Sequence, residues 1–488
     1  MKNFFLTSLL SLISLSSFST TYYVSNSGSN SNDGLTSPTA FLTLQHASDI
    51  VTAGDSVVVL AGTYTGFYQT TSGTSSQRII FAAQEGAVIT QPNATTDDGI
   101  NLEGASYITI EGFKVFGMPR TGIRTVTNDH VIIRNNVCDS CEVWGILTGF
   151  SDYILIENNT CTRAVEQHGI YFGNSADYPV IRSNLCWGNN DCGIHMNGDA
   201  SLGGDGIISY GLVENNICYD NGVGGGSAIN CDGVQHTIIQ NNLLYNNHAS
   251  GISLFRIDGG GGSNYNVVVN NTILQPSDGR WALNISDGST NNIAFNNILY
   301  STHVFRGSIS IDAASMTGFK SNFNIQTDRM STDGGNTVIT LALWQQNTQL
   351  DSNSFIALPA QLFVNAVDDY HLSFTSPAID QGTESYFSIA APANDLDGAP
   401  RPFINGFDIG CYEAFPSGIQ ETFNQQTSDE IAAGDEVLLF DLSGRLAFDG
   451  QKPELETAIK KIGCGLYCYV AYSSQTKIIK RGKIFVAQ

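Results

Sequence analysis

The chain has 488 residues, with 45 acidic against 22 basic, a formal net charge of −23, and 50 glycines. The balance argues against nucleic acid as a partner, because phosphate binding needs a basic face. A polyanionic substrate would need a locally basic cleft or a bound cation, while the glycines, sparse charges and Asn-rich middle indicate a turn-dense all-β protein.

Residues 1–20, MKNFFLTSLLSLISLSSFST, carry one Lys, an apolar run and small residues around Ser17 to Ser19. They read as a secretory signal peptide, cut near Ser19 or Thr20, whose apolar run is too short and Ser-rich for a membrane anchor. No later segment has a membrane-spanning pattern. The next stretch, residues 21–84, predicts a short amphipathic helix over Leu42–Val51, followed by the strand pattern GDSVVVLAGTY. Such a helix would cover the open end of whatever sheet structure follows.

From residue 85 to about 330 the chain repeats. Gly-Ile or a close relative recurs at Gly99, Gly122, Gly145, Gly169, Gly193, Ala228, Gly251 and Ala282, mostly every 23 or 24 residues. A second ladder runs in phase: Asn136, Asn159, Asn184, Asn216, Asn242, Asn271 and Asn297. Fixed periodicity in this range signals a solenoid. The unit has no helical pattern and offers brief alternating runs between Asn and Gly turns, which predicts a right-handed parallel β-helix with coils about 4.8 Å apart. Two longer steps contain Gly-rich insertions, at 201–211 and 257–266, read as loops. Cys138, Cys161, Cys186 and Cys218 stand two residues after the ladder Asn in four coils, so they are expected inside as a row of free thiols. Cys464 and Cys468 receive no partner.

Three stretches carry resemblances. Residues 21–66, with YYVS, the SNDGL turn, LQHASDIV and GDSVVVLAGTY, resemble the N-terminal cap of secreted parallel β-helix proteins, a group rich in polysaccharide lyases and glycoside hydrolases. Residues 376–413, within a 331–417 region of final coils, are similar to the anchor-type segment that follows β-helices on exported bacterial proteins, through DLDGAPR and DIGCYE. Residues 418–488, with EVLLFDLSGRLAFDG, GLYCYVAY and KIIKRGKIFV, resemble the small β-sandwich-like C-terminal sorting domain of the type nine secretion route. These resemblances imply export through the outer membrane of a Gram-negative bacterium, to the medium or the cell surface, with the type nine machinery as a partner. A monomer is expected.

Strand alternation sets which residues face outward. If the Ile of each Gly-Ile faces the core, the outward row reads Arg124, Leu147, Tyr171, His195, Asn230, Ser253 and Asn284, and a second row reads Gly173, Asn197 and Asp232. Polar groups concentrate around CGIHMNGD at 192–199, with His168, Asp199, Asp205, Arg256, Asp258 and Asp287 nearby. Trp281, Trp187 and Phe255 are candidate stacking faces for sugars. An outward row must be polar somewhere, so a plain solvent-facing surface is the competing reading.

Two chemistries fit a groove here. In β-elimination at a uronate, His195 or Tyr171 would move the proton, with His168 beside them, Arg256 and Asn230 near the carboxylate, and clustered Asp residues and backbone carbonyls holding a calcium ion. In hydrolysis, two of Asp199, Asp232 and Asp258 would flank the scissile bond. Asn197, Asn230, Asp199, Asp258, Asn284 and Trp281 are the expected substrate contacts. A non-catalytic carbohydrate-binding or adhesin-like surface protein is the third possibility. No HExxH, P-loop or nucleophile elbow is present, and the metal ligands stay unassigned.

Overall fold

The computed structural model describes residues 19–403, 405–414, 436–441, 446–451, 454, 465–472 and 479–486. All but the last two residues of the leader lie outside that range, as does Cys464. The chain divides into two compact units, one of residues 1–212, 219–234 and 258–261, the other of residues 213–218, 235–257 and 262–488. Both contain coils of parallel strands.

In the first unit the cap is the strand Thr21–Val24, paired in parallel with Ser56–Val59, and the helix Leu44–Ile50. The helix starts later than the pattern predicted because the Thr43 hydroxyl accepts the His46 N–H as an N-cap. It buries Leu44, Ala47 and Ser48. Each coil then lays down three short strands. Trp144–Gly149, Leu155–Glu157 and Thr160–Thr162 form one coil and pair with Ile170–Gly173, Val180–Arg182 and Leu185–Trp187 of the next.

The two ladders have separate physical causes. Ile146, Ile170, Ile194 and Ile229 lie in register and are fully buried. The preceding glycine leaves room for the neighbouring chain: a Cβ on Gly145 would stand 2.6 Å from the Gly169 carbonyl oxygen. In the Asn-Asn doublets the first residue takes the left-handed turn, with φ of 56° at Asn135 and 54° at Asn158. The second Asn is buried. Asn159 Oδ1 accepts both the backbone N–H and the amide of Asn136 at 3.0 Å, and Asn159 Nδ2 donates to Ile133 O at 2.9 Å and to Asn184 Oδ1 at 3.1 Å. Cys138, Cys161 and Cys186 stack in register, and they and Cys218 are free and buried, as expected.

Asn159→Ala would strip partners from Asn136 and from the Ile133 carbonyl. Each buried orphan costs about 1–3 kcal/mol, so the variant is expected to lose at least about 2 kcal/mol in a urea melt. An unchanged midpoint would show that the ladder carries no stability.

A feature the pattern did not reveal is an aromatic ladder at the turns. Tyr107, His130, Tyr153, Tyr178 and Tyr210 stack in sequence at centroid spacings of 4.8, 4.7, 4.6 and 5.2 Å. All five have left-handed φ. The inner rings are covered on both faces by their neighbours, so this strip presents edges to solvent and serves packing between coils.

The second unit repeats the scheme. Ser250–Phe255, Leu283–Ile285 and Ile309–Ile311 pair in parallel. Its Asn ladder runs Asn242, Asn271, Asn297 and Asn324, then ends on Ser354 and the buried Asp351. The anchor-type segment packs on these coils. Asn270 Nδ2 donates to the carbonyls of Asp408 and Gly410, and the Cys411 N–H donates to Thr272 Oγ1. The DLDGAPR and DIGCYE stretches meet each other through a buried Arg401–Glu413 pair at 2.8 Å. Beyond them, the strands Glu436–Asp441, Leu446–Gln451, Gly465–Tyr472 and Ile479–Val486 form a four-stranded antiparallel sheet.

One contact in this unit is pH-sensitive. His371 lies between Asp369, at 2.6 Å from Nδ1, and Asp397, at 2.8 Å from Nε2. The two carboxylates, Asp397 most of all, raise its pKa to about 9 against the opposing effect of burial. The folded value lies above the unfolded one, so the contribution is complete below about pH 6.5 and disappears as pH rises through the folded value. Thermal melts of the wild type should therefore lose more stability between neutral pH and about pH 9 than those of His371→Gln. Parallel curves would refute a stabilising role for the Asp369–His371–Asp397 contact.

Candidate functional site

The expected outward row exists. Leu147, Tyr171, His195 and Asn230 are register partners on four successive strands, and Gly149, Gly173, Asn197 and Asp232 form the second row. This places Tyr171, His195 and Asn197 side by side in the first unit. His168 joins them from the turn before the Ile170–Gly173 strand.

Their contacts form a connected set. The Cys192 backbone N–H donates to His168 Nδ1 at 3.2 Å, and His168 Nε2 lies 3.0 Å from His195 Nδ1. The two imidazoles meet edge to face, 4.6 Å between centroids. The Tyr171 ring stacks on His168 at 5.5 Å and on Trp144 at 5.7 Å, and meets His195 edge-on at 5.4 Å. Asn197 Nδ2 donates to Tyr171 Oη at 3.0 Å. Three buried polar atoms of this group have no hydrogen-bond partner among the described residues: His195 Nε2, Asn197 Oδ1 and Trp144 Nε1.

Burial dominates the electrostatics. Desolvation lowers the His195 pKa to about 4, and holds His168 well below the usual histidine value, helped by His195. Both rings are therefore neutral at pH 7. The Tyr171 phenol is pushed up chiefly by burial; the Asn197 hydrogen bond is the next largest influence and lowers it, and Asp199, Asp258 and Asp232 each add a smaller rise.

The acidic residues differ in how free they are. Asp232 is buried, and its carboxylate accepts the N–H groups of Asp258 at 2.8 Å and Gly259 at 3.0 Å, which holds the 258–259 backbone. Asp199 caps the short 3₁₀ turn Ala200–Leu202, with Oδ1 accepting from the N–H and hydroxyl of Ser201. The Asp258 side chain is exposed. Asn230 is buried and its Oδ1 accepts from Ser227 Oγ at 3.0 Å. Arg256, Asn284 and Trp281 belong to the second unit. There Arg256 is exposed, Asn284 is the register partner of Ser253, and Trp281, only 5% exposed, has no open ring face for a sugar.

His168, Cys192 and His195 bring possible metal-ligand atoms within 4.8 Å of one another. The hydrogen bonds argue against a cation at that point. A His168 ring bound to metal through Nε2 would carry its proton on Nδ1, where the Cys192 N–H already donates. Burial also pushes the Cys192 thiol up to about 12, away from the thiolate a metal needs.

Sequence reasoning missed Trp144 and the Cys192 N–H. The only signal for Trp144 was an aromatic residue directly before a Gly-Ile, and nothing marked a backbone donor.

A family model described as the right-handed β-helix region matches residues 98–255 and 144–355. The chain belongs to the right-handed β-helix family. Among solved structures, this β-helix is similar to the pectate lyase Pel9A, with a TM-score of 0.54 and 18% identity over 82% of this chain and 97% of that one. It is also similar to an alginate lyase from Paenibacillus sp. str. FPU-7, at TM-score 0.45 and 22% identity over 55% of this chain and 94% of that one. A rhamnogalacturonan lyase matches at TM-score 0.41 and 17% identity, over 59% and 84% of the two chains. At these identities the likeness concerns the fold. No curated protein matches the sequence. Among the described residues no helix is long and apolar enough to cross a membrane.

Proposed function

We propose that this β-helix is a carbohydrate-active enzyme that cleaves a uronate-containing polysaccharide by β-elimination at the Tyr171–His195–Asn197 cluster. The observation that carries the reading is the pair of orphaned polar atoms, His195 Nε2 and Asn197 Oδ1, on two of the residues that touch Tyr171. Buried polar atoms without partners are costly, and a polar ligand that supplies those partners accounts for them. In the proposed step, ionised Tyr171 Oη takes the proton from the carbon next to the uronate carboxyl group. The freed electron pair forms the carbon–carbon double bond as the glycosidic C–O bond breaks, and Oη returns the proton to the leaving oxygen. Asn197 Nδ2, which already donates to Oη, favours the ionised form.

Asp199 and Asp258 support a second reading, hydrolysis by paired carboxylates, because both act on the Tyr171 pKa and neither holds the loop as Asp232 does. The same oxygens suit calcium, a hard cation that would offset the repulsion between an acidic protein and a uronate. Action outside the cell, reached by the leader and the sorting-type tail, belongs to the same proposal. The test is a panel of uronate-containing and neutral polysaccharides, with and without calcium and a chelator, read by ultraviolet absorbance of unsaturated ends and by reducing-end release. Absorbance with a uronate polymer supports elimination. Reducing ends without absorbance favour hydrolysis, and neither signal overturns both.

A further inference from the structure

We infer that His168 is a positioning residue that locks His195 in the tautomer with the proton on Nε2, making His195 a fixed neutral hydrogen-bond donor for a carboxylate rather than a proton-abstracting base. The assignment follows from donor counting along one chain of contacts. The Cys192 backbone N–H can only donate, so His168 Nδ1 must accept and carries no proton. A neutral imidazole then holds its proton on Nε2, which points at His195 Nδ1 at 3.0 Å and donates to it. His195 Nδ1 is thereby an acceptor, and its own proton sits on Nε2. That N–H is buried and has no partner among the described residues.

The groups around the relay leave no other arrangement. His168 faces His195, Tyr171 and the Cys192 backbone, and His195 faces His168 and Tyr171. Among the described residues no carboxylate bonds either ring, so none of them favours an imidazolium. A second orphaned ring donor, Trp144 Nε1, belongs to the indole that stacks on Tyr171. A neutral donor whose bond must be completed from outside fits an acceptor with several lone pairs. Resting on the uronate reading, the ligand group is the sugar carboxylate, whose charge a buried N–H donor offsets while elimination proceeds. His168 touches no substrate in this scheme and acts through the ring it holds.

The experiment reads the tautomer without any catalysis. The full chain is labelled with 15N-histidine, and among its eight histidines His195 is assigned by loss of its signals in His195→Gln. Long-range 15N–1H spectra then distinguish a protonated Nε2 from a protonated Nδ1. The expected result is a single Nε2–H tautomer that does not titrate between about pH 5 and 8. His168→Gln, whose amide can accept from Cys192 and donate to His195, should keep that tautomer, whereas His168→Leu should give a mixture. A protonated Nδ1 or an imidazolium signal at pH 7 in the wild type overturns the lock, even if His168→Leu fails to fold. For the ligand, trigalacturonate and trimannuronate are added, with xylotriose as the neutral control. A shift of the Nε2–H signal by a uronate alone supports the assignment. Equal shifts, or none, overturn it. The polysaccharide panel can fail while the tautomer is confirmed, so the two ideas stand or fall separately.

Discussion

Tyr171→Phe should lower kcat/KM on the polymer identified by the panel on the order of 10²–10⁴-fold, the usual weight of a group that moves a proton in the rate-limiting step. The ring stays, so stacking on Trp144 and His168 is preserved. What is lost is the oxygen, and with it the acceptor for the Asn197 amide. That amide is buried, so the variant should also lose about 1–3 kcal/mol in stability, too little to unfold a protein of this size. Activity within about threefold of wild type in a protein that melts cooperatively would remove Tyr171 from the mechanism. The pH profile offers an independent check. Burial and three nearby carboxylates push the phenol up, so its ionised form is scarce at neutral pH and the rate should climb by about tenfold per pH unit as the pH rises toward the phenol's range. His195, lowered to about 4, should add no limb between about pH 5 and 8. A bell centred on neutrality would instead point to an ionising histidine.

Arg401→Ala is expected to cost about 3–5 kcal/mol, measured by urea melts, because it leaves a buried carboxylate without its cation. The Arg401 and Glu413 side chains are 0% and 1% exposed. Arg401 also donates to Gly410 O at 3.0 Å, while the Glu413 oxygens accept the N–H groups of Phe403 and Asp408. These bonds join the two motif stretches of the anchor-type segment. Burial pushes the Glu413 carboxyl up to about 7 in spite of Arg401. Without Arg401 it should take a proton more readily, so the deficit should be smaller near pH 5 than near pH 8. The double variant Arg401→Met with Glu413→Leu should recover only part of the loss, because an apolar pair needs no counter-charge but leaves the Phe403 and Asp408 N–H groups without their acceptor. If Arg401→Ala melts like the wild type at both pH values, the pair is not what holds the segment together.

The solenoid, the stacked Ile and Cys interior, the Asn ladder and the row from Leu147 to Asn230 were all legible in the residue pattern. Each of these depends only on period and parity. A coil must bury one side of each strand, and a fixed repeat places equivalent residues one above another, so spacing decides register before any fold is known. The chemistry of the row, by contrast, depends on how the coils pack. His168 stands in a turn, where parity has no force, and its bond to His195 depends on the path of the chain one coil away. Its partner on the other side is a backbone N–H, which no residue type advertises. Asp232 has the same outward parity as Asn197, yet the 258–259 backbone comes to it and occupies both oxygens. Trp281 reads as a sugar platform and lies buried, because an aromatic ring follows the local gap in packing rather than the repeat. The ladder from Tyr107 to Tyr210 was hidden for a related reason: its rings sit at left-handed turn positions, which are equivalent in space from coil to coil but vary in residue type. Periodicity specifies which residues are neighbours. Which of their atoms are left without a partner is set by turn geometry and rotamers, and those are fixed only when the coils pack.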